Sequence, residues 1–187
     1  MEDMLITDEV MVETRIDRRQ PEPYELVRIN PCNRRRDGFD EGLDWDEAGA
    51  GGISVDIVDS SATGNADEAV KISEEDDGDL EVMATQLIAN ESGDAAGITA
   101  EETGPGDVGI ELEQLTASGN AESGVEIDER DAGTVTAGLM DSALTDNGGF
   151  GLIVGQEQEP RGTVTLVDVA ISGNGDGEVE LDGVDRE

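Results

Sequence analysis

Residues 108–128 run Val108-Gly109-Ile110-Glu111-Leu112, then Glu113-Gln114-Leu115-Thr116-Ala117-Ser118-Gly119, then Asn120, then, past Ala121-Glu122-Ser123, Gly124-Val125-Glu126-Ile127-Asp128. Each flank alternates apolar with small or acidic residues, so a strand would carry Val, Ile and Leu on one face and acids on the other. Asparagine tolerates the left-handed backbone region that a tight turn between such strands requires. Two half-apolar strands of this length cannot bury their own faces. The stretch therefore needs neighbours with the same pattern.

The chain supplies them. Ala62-Thr63-Gly64-Asn65, Leu87-Ile88-Ala89-Asn90, Ala117-Ser118-Gly119-Asn120, Leu144-Thr145-Asp146-Asn147 and Ile171-Ser172-Gly173-Asn174 align on their asparagines, which lie 25, 30, 27 and 27 residues apart. Eight residues before each stands Ile57, Val82, Leu112, Leu139 or Leu166, and ten before stands Val55, Leu80, Ile110, Ala137 or Val164. Five and seven residues after come Val70 and Ile72, Val125 and Ile127, Leu152 and Val154, Val179 and Leu181. The second copy departs: its following strand begins at Ile98, which the alignment treats as a three-residue insertion in the turn. Repeats of this length stack into a solenoid whose coils share one core. The recurring Asn65, Asn90, Asn120, Asn147 and Asn174 are expected to form a ladder of amide hydrogen bonds from coil to coil.

With these repeats the chain resembles the right-handed parallel β-helix proteins, of pectate-lyase-like and tailspike-like architecture. The resemblance covers residues 51–187 and implies an all-β solenoid of about five coils, preceded by an N-terminal arm or cap over residues 1–50. A leucine-rich repeat would need a leucine spacing that is absent, and a β-sandwich would not keep columns in register.

Composition narrows the function. The 187 residues include 47 Asp and Glu against 11 Lys and Arg, a formal net charge of −36, with no histidine and one cysteine, Cys32. Imidazole-dependent nucleophile pairs, imidazole metal sites, thiolate zinc clusters and disulfide frameworks are thereby excluded. A surface so negative repels nucleic acid and anionic lipid, and no apolar run is long enough for a membrane helix. Such acidity, with one lysine (Lys71) among the basic residues, resembles proteins of extreme halophiles. In molar salt the Debye length falls to about 3 Å, and like charges barely interact. The charge is unevenly placed: residues 1–36 hold seven arginines against eight acids, and everything after them is heavily acidic.

Candidate sites are few. Catalysis on β-helices that act on acidic polysaccharides relies on aspartates with supporting cations or a basic residue, and the repeats hold only Lys71, Arg130, Arg161 and Arg186 as cations. No metal or cofactor site is assigned, because the acidic turns Glu74–Asp79 and Asn174–Glu178 match no full calcium-loop spacing, although oxygen ligands at alternate positions suit calcium. Phe39, Leu43 and Trp45 are expected to cap the first coil. Tyr24 with Arg34, Arg35 and Arg36 forms a candidate docking surface for an acidic partner.

The resulting expectation is a non-enzymatic structural or adhesion subunit. The resemblance implies a virion surface, tail, spike or turret component of a halophilic archaeal virus, assembled in the host cytoplasm. It would be a homo-oligomer, with a trimer favoured, contacting other structural subunits through its N-terminal segment, with cell-surface glycan as a further candidate partner. A carbohydrate-active or carbohydrate-binding β-helix is the alternative.

Overall fold

The computed structural model describes residues 41–49 and 51–187, together with the backbone strands Met4–Ile6, Arg15–Arg18, Glu25–Ile29 and Asn33–Arg35. Strands separated by one repeat length pair in parallel throughout, which makes the chain a parallel β-solenoid of about five turns. One sheet stacks Ile53–Thr63, Leu80–Asn90, Val108–Glu113, Val135–Met140, Gly162–Val167 and Val184–Arg186. The second stacks Leu43–Ala48, Val70–Glu75, Ile98–Thr103, Val125–Glu129, Phe150–Gln156 and Gly177–Asp182. Short strands Thr116–Ser118, Ala143–Thr145 and Ala170–Ser172 extend the first sheet past a corner that Ile53–Thr63 and Leu80–Asn90 traverse as single strands.

The core lies between the sheets and is built in columns. Val55, Val82, Ile110, Ala137 and Val164 stack from one coil to the next, as do Leu43, Val70, Ile98, Val125 and Leu152. All ten are buried. Burying a residue of this size contributes roughly 1.5–3 kcal/mol, and the repeat multiplies it over coils. The alternation read from the sequence is thus the in-and-out pleat of every strand.

Two left-handed residues per coil turn the chain. The first column is Asp59, Gln86, Gln114, Asp141 and Asp168, with φ between 50° and 57°. The second is Gly64, Glu91, Gly119, Asp146 and Gly173, with φ between 58° and 75°. The residue after each member of the second column enters the asparagine ladder. That residue is Asn65, Ser92, Asn120, Asn147 or Asn174.

This overturns one expected ladder position. Asn90 pairs in register with Thr63, two residues before the ladder, and its Oδ1 accepts the Ser118 N–H at 2.8 Å. Ser92 holds the ladder place, shown by its N–H donating to Asn120 Oδ1 at 3.0 Å, as Asn120 N–H does to Asn147 Oδ1 and Asn147 N–H to Asn174 Oδ1. Ladder residues are therefore 27, 28, 27 and 27 apart, and the supposed insertion shrinks to one residue between Ser92 and Ile98. An asparagine in the sequence does not mark the turn; the left-handed residue does, and Glu91 is not recognisable as one from its type.

Where the ladder is complete it is doubly bonded. Asn120 Nδ2 donates to Asn147 Oδ1 and Asn147 Nδ2 to Asn174 Oδ1, both at 2.9 Å, and the same groups reach the carbonyls of Ala89 and Ala117 at 3.2 Å. Asn174 Nδ2 reaches the Leu144 carbonyl at 3.1 Å. A column of small residues makes room for these amides: a Cβ on Gly42, Gly97, Gly124 or Gly151 would lie 2.7–2.9 Å from the Nδ2 of Asn65, Asn120, Asn147 or Asn174. In this column the register places Ala69 where Ser92 replaces asparagine. The extra methyl and the shortened side chain compensate. The cost is local, since Asn65 Nδ2 and Ser92 Oγ are buried without hydrogen-bond partners.

Leu43 and Trp45, expected in the cap, are inward residues of the strand Leu43–Ala48, which lies between Arg15–Arg18 and Val70–Glu75. Trp45 is 2% exposed. Both belong to a rung within the stack, because alternation carries on upstream of the glycine-rich joint. Phe39 lies outside the described residues.

Two predictions follow from the backbone and the ladder. Replacing Gly119 by Ala should destabilise by about 1–2 kcal/mol through backbone strain, since the new Cβ meets nothing nearer than Glu91 Cγ at 3.9 Å. Glu91→Gly should stabilise by roughly 0.5–1 kcal/mol, and equal or opposite shifts in urea midpoints would contradict the assignment. In a double-mutant cycle, Ser92→Asn alone should be destabilising because Ala69 crowds it. Combined with Ala69→Gly it should complete the ladder, with a favourable coupling of about 1–2 kcal/mol. Additive melting data would show that the two sites do not touch.

Candidate functional site

The third inward position of each second-sheet strand is not apolar. Register places Glu47, Glu74, Glu102, Glu129 and Gln156 directly over one another. Glu74, Glu102 and Glu129 are 0% exposed, Glu47 6% and Gln156 4%. Strand geometry forces this: a residue two places after Ile72, Ala100, Ile127 or Val154 faces the same side as they do. Stacking puts successive carboxyl groups at the rung spacing of about 4.8 Å.

Electrostatically the column is costly. Burial pushes the Glu74 carboxyl up to about 9, helped by hydrogen bonds to Glu47 and Glu102 that favour its protonated form. Burial raises Glu102 to about 7, against the hydrogen bond it accepts from Glu74 and with the negative charges of Glu129, Asp131 and Asp79 adding to the rise. Glu129 is also raised by burial, opposed by the Asp131 N–H, which donates to its Oε1 at 2.9 Å. Glu74 is thus a neutral acid donating toward Glu102. At the far end Gln156 closes the column with an amide: its Oε1 accepts the Val135 N–H at 2.8 Å, and its Nε2 donates to the carbonyls of Gln158 and Pro160.

Glycines pack the turn beside the column. A Cβ on Gly106 would fall 1.6 Å from the Gly78 carbonyl oxygen and 3.3 Å from Glu102 Oε1. One on Gly133 would stand in the same relation to the Gly106 carbonyl and Glu129 Oε1. Side chains are excluded there, so carbonyl and carboxylate oxygens share the space.

A second acidic group lies on the outside. Carboxylate oxygens of Glu41, Asp67 and Glu68 come within 4.8 Å of one another, half-buried. Burial raises Glu68 to about 7. Burial alone would lower the nearby Lys71 ammonium, but the charges of Glu68, Asp46, Asp44 and Glu41 outweigh it and raise it. Lys71 thereby already supplies a counter-charge to this group. Arg130 is held by Asp128 and Glu101 at 2.6 and 2.7 Å, and Arg161 by Asp185 at 2.9 Å.

Of the expected docking residues, Arg34 and Arg35 fall on the backbone strand Asn33–Arg35, which pairs with Ser61–Thr63. Arg36 and Tyr24 lie outside the described residues. The glutamate column was missed from sequence, although it is periodic: Glu74, Glu129 and Gln156 each follow the ladder residue by nine. With so many acids in the chain, a recurring Glu looked like composition. Its parity with Ile72, Ile127 and Val154 was the available signal.

Protein-family models, curated proteins and solved structures yield no match to this chain.

Because Glu74 and Glu102 titrate above an unfolded glutamate, the native state binds more protons than the unfolded chain between about pH 4.5 and about 9. Their contribution is fully present below pH 4.5 and is lost as pH rises through about 7 and then about 9. In chelator-treated protein, Glu102→Gln and Glu74→Gln should flatten the fall in melting temperature over this range. Curves parallel to the unaltered chain would show that these groups do not titrate within it.

Proposed function

We propose that this chain is a non-enzymatic structural and adhesion subunit of a larger assembly, at the surface, tail or spike of a virus infecting a halophilic archaeal host. The observation that supports it most is the last coil. Leu166, Ile171, Val179 and Leu181 are only partly buried there, whereas the residues they stack on, Leu139, Leu144, Leu152 and Val154, are at most 1% exposed. Gly177–Asp182 and Val184–Arg186 are the terminal strands of their sheets. Half-exposed apolar columns ending in strand edges are suited to pairing with another chain, and we take that chain to be a second copy.

The acidic skin supports the halophilic setting. Outward positions beside the apolar columns carry Glu81, Glu111, Glu126, Glu180 and Asp128. In dilute buffer their repulsion opposes the compact state; molar salt screens it. A homo-oligomer joined at the ends of its coils would keep these faces solvated; the trimer is the form that the tailspike-like resemblance favours.

Sedimentation equilibrium of the full chain in molar KCl tests the reading. The expected mass is a multiple of 19.6 kDa, and Val179→Asp with Leu181→Asp should return it to the monomer while preserving the β-sheet spectrum. A monomer across the micromolar range would overturn the assembly. Depolymerisation of an acidic glycan would overturn the non-enzymatic role, and recovery of the chain from purified virions would support the viral setting.

A further inference from the structure

The buried glutamate column is an array of acceptors with too few donors. Both carboxylate oxygens of Glu74 and of Glu102, and Oε2 of Glu129, are sealed from solvent without a hydrogen-bond donor from another residue type. Glu129 Oε1 accepts the backbone N–H of Asp131. The described basic side chains do not enter the column: Lys71 sits among the outer carboxylates, Arg130 on Asp128 and Glu101, Arg161 on Asp185, and Arg186 is exposed. Asp79 and Asp131 add further negative charge around Glu102. Carboxylates held like this are expensive unless a proton or a cation joins them.

Geometry favours a cation of a particular size. Glu102 and Glu129 occupy register-matched positions on paired strands, and such rungs are about 4.8 Å apart. An ion midway between their carboxyl groups would be about 2.4 Å from each, inside the calcium–oxygen range of about 2.3–2.6 Å and beyond the magnesium range of about 2.0–2.1 Å. The Gly106 carbonyl lies on the Glu129 side of this interval, in the place that a side chain on Gly133 would take, 3.3 Å from Glu129 Oε1. The carboxylate and carbonyl groups here are oxygen donors, the ligand type of a hard cation.

We propose that the interior of the solenoid binds a calcium ion between Glu102 and Glu129, which stack on adjacent coils. The ion ties two consecutive coils together from inside. It is distinct from the outer Glu41, Asp67 and Glu68 group, where Lys71 already provides the positive charge.

The test is calorimetric titration and thermal melting of the full chain, stripped with chelator, in molar KCl so that surface acids are screened. Calcium should bind with a stoichiometry of one and raise the melting temperature by several degrees; magnesium should do so far less. Glu102→Gln and Glu129→Gln should each weaken calcium binding by about tenfold or more. Gln156 in the same column shows that glutamine packs there, and the ion-free melting temperature of each variant reports whether it folds. Asp76→Asn with Asp77→Asn, on the exposed turn, should leave binding unchanged. No calcium effect on the unaltered chain, an equal response to magnesium, or undiminished binding in both glutamine variants would overturn the proposal.

Discussion

Along the paired strands of this solenoid each residue lies beside the equivalent residue of the next coil, one rung of about 4.8 Å away. That in-register stacking governs the rest of the structure. A choice made once in the repeat is made about five times, and its energy is multiplied accordingly. For isoleucine and leucine the result is a continuous core. For asparagine it is a ladder in which Asn147 accepts from the amide of Asn120 and donates to that of Asn174. For glutamate it is a column of buried acids that repel one another unless something joins them.

The same rule makes the local exceptions interpretable. Ser92 interrupts the asparagine ladder and Ala69 interrupts the glycine column that faces it, because one fills the volume the other gives up. Gln156 interrupts the glutamate column where its carboxamide can both accept from Val135 and donate to the following turn. The last coil interrupts the burial of the core, since Leu166, Ile171, Val179 and Leu181 have a neighbour on one side. Each is a place where like-on-like stacking stops, and the interior carboxylates and the terminal coil are the two that carry functional consequences.

Much of the fold was legible in the chain. Alternation in Val108–Glu113 and Val125–Glu129 gave strands, and the recurrence of that pattern gave a stack of coils. Trp45 and Leu43 were misjudged as a cap because the glycine-rich joint after Ala48 reads as a boundary, whereas the chain only turns there. Asn90 was misjudged because residue identity was used to find the turn. The turn is fixed by backbone conformation, and a glutamate at φ 59° performs at Glu91 what glycine performs at Gly64 and Gly119.

By itself the sequence determined the all-β solenoid, its approximate repeat and the division between an acidic outside and an apolar inside, since strand parity and periodicity are local properties of the chain. Only the tertiary structure decided the register to the single residue, and with it which polar groups meet. Ser92 rather than Asn90 stands over Asn65, and Glu47, Glu74, Glu102 and Glu129 stand over one another inside. The physical reason is that these contacts join residues 27 or 28 positions apart. A one-residue change in a turn moves them without altering the alternation of any strand.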